Sequence, residues 1–147
     1  MFAILAIGFL VVLDQITKRI AYAYLREIGS IQITSFFSLT YLENSGAAFG
    51  IMYGARWFFI VFTVVILFCM LIYYIKLPIN KSAKWEKITI VTIAAGAIGN
   101  FIDRLLFGFV IDFLHITAIN FPIFNFADIL IVFGAFVLTF TTIFVKD

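Results

Sequence analysis

Long apolar runs separated by short polar segments dominate the chain, and they predict four membrane-spanning helices. At about 1.5 Å of rise per residue, a helix of roughly 20 apolar residues crosses the hydrocarbon core of a bilayer. In the first run the charges follow the apolar start and no basic segment precedes it, which favours a helix over a cleaved signal peptide. The predicted spans are residues 2–25, 56–77, 88–110 and 127–145.

Between the first two spans the pattern changes to an alternation of apolar and polar residues. The alternating apolar positions are Ile31, Ile33, Phe37, Leu39 and Tyr41, with an interruption at Ser35–Phe36. This period of two predicts one or two short strands. Because bare strands are not tolerated in hydrocarbon, we expect a small β platform at residues 30–50, outside the membrane core. The apolar segment Leu114–Phe124 is too short to span, so we expect it at the membrane interface.

Composition agrees with a membrane protein. Of 147 residues, 65% are apolar and 12% are charged, whereas soluble domains are about half apolar and about a quarter charged. The net charge of +2 is too small to indicate a nucleic-acid partner. We therefore predict one membrane domain, residues 1–147, with an all-α core of four transmembrane helices, the β platform and an interfacial segment. The lone Cys69 excludes an internal disulfide, and its apolar surroundings predict a buried structural thiol.

Basic residues are distributed unevenly between the connections. The connection after the second predicted span carries four lysines, which are Lys76, Lys81, Lys84 and Lys87. The connection that holds the β platform carries Arg26 and Arg56 alone. Because basic residues concentrate in cytoplasmic loops, we expect the lysine connection and both termini in the cytoplasm and the β platform outside.

Several ionisable side chains interrupt the apolar runs. Such groups are costly at the centre of a membrane helix, so they normally face protein or water. Asp14 and Lys18 lie four residues apart on one helix face, where we expect an ion pair that is either structural or part of a site. Asn100, Asp103 and Arg104 project to one side of the third span. They are either a polar knot between helices or part of a functional site.

Asp112 and Asp128 lie where apolar runs end and begin, sixteen positions apart. Two aspartates held close together in low dielectric share one proton. The ionised partner can activate water and the protonated partner can protonate a leaving nitrogen, which predicts peptide hydrolysis. A proton- or ion-coupled carrier and a passive membrane subunit remain as alternatives. One histidine, His115, and one cysteine do not supply the usual zinc ligands, so we expect no metal and no cofactor.

Five short segments carry a resemblance to a known family. They are LDQITK, ENSGAAFG, GAIGNFIDR, GFVIDFL and FNFAD, and they extend over nearly the whole chain. In this order, on a four-span frame, they resemble the motifs of the bacterial lipoprotein signal peptidases, also called signal peptidase II. Two positions depart from the family pattern. Ala95 precedes Gly96 where the family commonly has two glycines, and Ile129 stands where it usually has serine.

The resemblance implies an aspartyl endopeptidase with Asp112 and Asp128 as its catalytic dyad. The implied substrates are prolipoproteins, which the family cleaves just before a cysteine that carries a diacylglyceryl group. The implied protein is a monomer in the bacterial cytoplasmic membrane, in contact with membrane lipid, with its active site at the outer face. The residues implied to bind substrate, orient the dyad or stabilise the core are Asp14, Asn44, Asn100, Asp103, Arg104 and Asn125.

Overall fold

The computed structural model describes residues 2–47, 51–78, 81–119 and 121–144. Long helices and a small sheet make up this part of the chain. The helices are α1 (Phe2–Ile28), α2 (Arg56–Lys76), α3 (Lys81–Phe107) and α4 (Phe126–Phe144), and the strands are β1 (Ser30–Thr34), β2 (Phe37–Asn44) and β3 (Val110–Ile116). A short 3-10 helix, Thr117–Ile119, follows β3.

Three helices in the described part of the chain are long and apolar enough to cross a membrane. They are α2, α4 and residues 83–107 of α3. The helix predicted over residues 2–25 is present as α1, but it carries Asp14, Gln15, Lys18 and Arg19 and is not among these three. The predicted helices over 56–77 and 127–145 are confirmed, although Val145 lies outside the described residues.

Helix α2 packs against α3 and leaves most of its circumference exposed. Cys69 lies on this exposed surface, so the prediction of a buried thiol was wrong. The expectation applied the habit of soluble proteins, in which cysteine is usually buried. In an apolar membrane helix with one packed side, most apolar residues instead face outward.

The strands form an antiparallel sheet in the order β1-β2-β3. The turn between β1 and β2 is at Ser35–Phe36, where the alternation of the sequence is interrupted. The predicted β platform is thus confirmed as structure, but β2 ends at Asn44 rather than at residue 50. Ala48–Gly50 lie outside the described residues.

The third predicted span was wrong at its end. Helix α3 stops at Phe107, and Gly108 adopts a φ of +87°, which is favourable for glycine and ends the helix. The chain then enters β3, which pairs with β2 and places Asp112 opposite Leu42. The predicted interfacial segment 114–124 therefore begins inside the sheet.

The end of that segment also returns to the sheet. The Leu114 amide donates to the Phe124 carbonyl oxygen at 2.8 Å, and the Phe124 amide donates to the Leu114 carbonyl oxygen at 3.0 Å. Asn120 lies outside the described residues. The lysine connection was also expected to be a loop, but α3 begins at Lys81, so most of it is helical.

Helix α3 occupies the centre of the molecule and packs against α1, α2 and α4. Its small residues permit the close approach. A Cβ added to Gly96 would collide with the Ala127 carbonyl oxygen, and one added to Gly99 would collide with the Asp14 carboxylate. Gly96 therefore permits the close approach of α4 to α3, and Gly99 permits that of α1.

Candidate active site

A buried ionic cluster joins α1 to α3. The Lys18 ammonium is 2.9 Å from Asp14 Oδ2 and 3.1 Å from Asp103 Oδ2, and all three side chains are at most 1% exposed. The predicted ion pair between Asp14 and Lys18 is present. A lone buried charge costs several kcal/mol, so the lysine is needed where two carboxylates are buried together.

The same cluster holds the two elements that carry the aspartates of the predicted dyad. Asp14 Oδ1 accepts a hydrogen bond from the Ala127 amide at 2.9 Å, in the first turn of α4. Asp103 Oδ2 accepts one from the Ile111 amide at 3.1 Å, at the start of β3. Gln15 donates to Asp103 Oδ1 at 2.9 Å and strengthens the cluster. The sequence did not indicate this role of Gln15. Its position next to Asp14 was the one available sign that it belongs to the cluster.

Asn125 and Asp128 form a capping box at the start of α4. The Asp128 amide donates to Asn125 Oδ1 at 3.0 Å, and the Asn125 amide donates to Asp128 Oδ2 at 3.1 Å. Reciprocal bonds of this kind satisfy backbone donors that have no partner within the helix. The spacing of an amide residue and an acid three positions apart was a signal that the sequence analysis did not use. The capping box fixes Asp128 at the positive end of the helix dipole.

Two asparagine side chains, Asn100 and Asn125, connect the two aspartates, and a third, Asn44, bonds Asp112. Asp112 is 1% exposed and accepts hydrogen bonds from Asn125 Nδ2 at 2.6 Å and Asn44 Nδ2 at 2.8 Å. Asp128 Oδ1 accepts a hydrogen bond from Asn100 Nδ2 at 2.7 Å. Asn125 Nδ2 also donates to Asn100 Oδ1 at 3.2 Å. The structure thus brings five of the predicted site residues into one hydrogen-bonded network, in which Asn100, Asp112 and Asn125 are buried.

The electrostatics of this network favour retention of a proton. Burial and, to a smaller extent, the charge of Asp128 raise the pKa of Asp112 to about 7, although hydrogen bonds from Asn44 and Asn125 act in the opposite direction. A carboxyl with a pKa near neutrality can exchange a proton at physiological pH. Asp112 is therefore suited to hold a proton near neutral pH, next to the charge of Asp128.

Arg104 lies beside the network. Its Nη2 donates to the Gly46 carbonyl oxygen at 3.0 Å, and its guanidinium stacks on the Phe59 ring at 4.6 Å. Its charge also acts on Asp112 and Asp128. Arg104 thus ties the segment after β2 to α3 and contributes positive charge near the carboxylates.

An apolar groove begins at Asp128 and follows one side of α4. It has a volume of about 400 Å³ and is lined by Phe121, Phe124, Asp128, Ile129, Val132, Phe133 and Phe136. Ile129, which stands where the resembling family usually has serine, is a wall of this groove. The hydrogen bond from Asn100 supplies Asp128 with a side-chain partner at this site.

The remaining chemistry-bearing residues lie elsewhere. His115 Nδ1 is 3.4 Å from Ser38 Oγ within the sheet. Within residues 2–47, 51–78, 81–119 and 121–144, no group of three or more His, Cys, Asp or Glu side chains is arranged to hold a metal ion.

Apolar helices around a buried network of carboxylates and amides are typical of a membrane-embedded enzyme. The chain belongs to the signal peptidase II family, because the family model described as signal peptidase (SPase) II matches residues 6–144. It is therefore a peptidase and a membrane protein.

Known relatives match over nearly their whole length. The lipoprotein signal peptidase of Caldanaerobacter subterraneus subsp. tengcongensis is 46% identical over 144 residues, which cover 97% of this chain and 96% of that protein. The lipoprotein signal peptidase of Brevibacillus brevis is 42% identical over 130 residues, covering 88% of this chain and 86% of that protein. A bacterial membrane enzyme solved by the in meso method at 2.3 Å resolution superposes with a TM-score of 0.86 at 36% identity, covering 96% of this chain and 87% of that one.

Proposed function

We propose that this chain is an aspartyl endopeptidase that removes signal peptides from prolipoproteins, with Asp112 and Asp128 as its catalytic dyad. The observation that carries the proposal is that the buried Asp112 and the half-buried Asp128 are connected through Asn100 and Asn125. Membership of the signal peptidase II family supports the substrate class. The alternative, a proton- or ion-coupled carrier, finds no support in the comparisons.

In the proposed mechanism the two aspartates have different roles. Asp112, with a pKa of about 7, holds the shared proton. Asp128 is the carboxylate, and it takes a proton from water as the water oxygen bonds to the scissile carbonyl carbon. Asp112 donates a hydrogen bond to the carbonyl oxygen and then gives its proton to the leaving nitrogen as the C–N bond breaks. The proton left on Asp128 returns to Asp112 before the next turnover.

The substrate we propose is a prolipoprotein whose cysteine already carries a diacylglyceryl group, with cleavage just before that cysteine. A lipid-anchored substrate arrives from the membrane, so its site needs an apolar flank next to the polar chemistry. The groove that begins at Asp128 supplies such a flank. Asn44 and Arg104 border the polar side and are proposed to orient the dyad and the substrate backbone.

We further propose that α1 is a fourth span of a single domain covering residues 1–147. The Lys18 ammonium between Asp14 and Asp103 reduces the cost of burying these charges at membrane depth. The distribution of lysines supports cytoplasmic termini and an active site at the outer face of the bacterial cytoplasmic membrane. We propose a monomer in contact with membrane lipid, which uses no metal or cofactor.

The decisive test is cleavage of a diacylglyceryl-modified prolipoprotein by purified protein in proteoliposomes. Asp112→Asn and Asp128→Asn should each insert normally and lose cleavage, because either change removes one of the two proton-transfer groups. Glu43→Gln is the matched control, since Glu43 lies next to Asn44 but accepts its hydrogen bond from Tyr41. Normal cleavage by either aspartate variant would overturn the dyad assignment.

A further inference from the structure

Lys18 is connected to Asp128 of the proposed dyad through one side-chain amide, that of Asn100. Its ammonium, 1% exposed, donates a hydrogen bond to Asn100 Oδ1 at 2.8 Å. An ammonium can only donate, so it binds the oxygen end of the amide. The nitrogen end then faces the opposite way and donates to Asp128 Oδ1 at 2.7 Å.

Asn125 donates a second, longer hydrogen bond to the same amide oxygen. Asn125 Nδ2 is 3.2 Å from Asn100 Oδ1, whereas its bond to Asp112 is 2.6 Å. Without Lys18, only this longer hydrogen bond holds the Asn100 oxygen, so the amide can rotate more easily and present its oxygen to Asp128. Two acceptors face each other in that arrangement, and only a proton on Asp128 resolves the repulsion.

We propose that Lys18 is a positioning residue: it fixes the Asn100 amide with its N–H toward Asp128, and so keeps Asp128 ionised and the shared proton on Asp112. This inference rests on the proposed aspartyl peptidase function. Lys18 does not touch the aspartates of the dyad: its charge lowers the pKa of Asp112 across space, and its hydrogen bond orients the Asn100 amide.

Other charges surround the same network and must be considered. They are Asp14 on α1, Asp103 and Arg104 on α3, Asp112 on β3 and Asp128 on α4. Arg104 supplies a second positive charge, but its described contacts are the Gly46 carbonyl oxygen and the Phe59 ring. A change at Lys18 therefore removes the cationic donor of the Asn100 amide and leaves Arg104 in place.

The first test compares Lys18→Met with Gln15→Leu. We expect Lys18→Met to lower kcat about tenfold or more, and to move the pH profile of kcat about one unit to higher pH, since a lost opposite charge and hydrogen bond shift such titrations by about one to three units. Gln15 belongs to the same ionic cluster but bonds Asp103, Asp14 and the Gly99 carbonyl oxygen. Gln15→Leu should lower thermal stability and leave the pH profile unchanged. An unshifted profile in folded Lys18→Met would overturn the proposal.

Lys18→Met leaves Asp14 and Asp103 buried without a counterion and can fail to fold. The double variant Lys18→Met/Asp103→Asn, compared with the wild type, then decides. The double variant loses one positive and one negative charge, so the cluster keeps its net charge of −1 (two acids and one lysine become one acid). A profile that lies at higher pH in the double variant than in the wild type supports the proposal, and identical profiles refute it.

The position of the proton can also be measured without substrate, which separates this inference from the proposed function. Infrared spectra report the C=O stretch of a protonated carboxyl group. About one pH unit below the Asp112 pKa of about 7, Asp112→Asn should remove the band and Asp128→Asn should retain it. In the Lys18→Met background, Asp128→Asn should remove the band and Asp112→Asn should retain it. If the band follows Asp112 in both backgrounds, Lys18 does not place the proton, whether or not the chain cleaves prolipoproteins.

Discussion

The pKa of Asp112 sets the upper pH limit of the proposed activity, and the hydrogen bond from Asn44 lowers that pKa. Asn44 Nδ2 lies 2.8 Å from Asp112 Oδ2, and this bond lowers the pKa of Asp112 by stabilising the carboxylate. The proposed mechanism needs the protonated form of Asp112. Activity should therefore decline as the pH rises through about 7, with about one tenth of the molecules still protonated one unit above the pKa.

Asn44→Ala removes this donor and should raise the pKa of Asp112. A hydrogen bond to a charged group contributes about 1.5–3 kcal/mol, and about 1.4 kcal/mol corresponds to one pKa unit. The expected shift is therefore about one to two units upward. The variant should keep a larger share of its maximal activity above pH 7 than the wild type does, even if its maximum is lower.

The assay is kcat/KM against pH with a diacylglyceryl-modified prolipoprotein, because this parameter reports the ionisation of the free enzyme. Glu43→Gln serves as the control for a neighbouring change on β2 that leaves Asp112 untouched. If the decline of kcat/KM at high pH stays in place or moves to lower pH in Asn44→Ala, the assignment of this decline to Asp112 is refuted.

Further predictions concern packing and topology. Gly96→Ala should destabilise the protein by about 1–3 kcal/mol in thermal unfolding, because the new methyl group meets the Ala127 carbonyl oxygen. Gly8→Ala, with no atom within 4 Å of the added carbon, is the matched control and should cost nothing. A reporter inserted at residues 79–80 should be cytoplasmic in cells; an external signal would contradict the proposed orientation. A chelator should not change turnover, and its inhibition would contradict the metal-free mechanism.

The sequence predicted the helices well because their signal is local. Uninterrupted apolar length predicted α2 and α4 closely, and the alternation in residues 30–41 predicted short strands, which the structure shows as an antiparallel pair. Strand β3 was missed because VIDFLHI continues the apolar run of α3 without a polar break. Gly108 was the single local sign of the change, and glycines also occur inside the helix.

The residues of the candidate site were named from the sequence, but the hydrogen bonds and ion pairs between them were not predicted. Helical spacing placed Asn100 and Asp103 on one face of α3. It could not show that Asn100 contacts Asp128 whereas Asp103 contacts Lys18, because these partners come from distant parts of the chain. The burial of Cys69 was predicted wrongly for a related reason, since burial depends on which helices pack together.

The contact between Asp14 and the Ala127 amide has a consequence for biosynthesis. It joins α1 to α4, which is synthesised after α1, α2 and α3. A chain synthesised only as far as α3 can pair Asp14 with Lys18 inside one helix, but it has neither Asp128 nor the donor that completes the Asp14 carboxylate. The proposed catalytic centre therefore becomes complete only when α4 docks, and we expect a molecule without α4 to have no peptidase activity in the membrane.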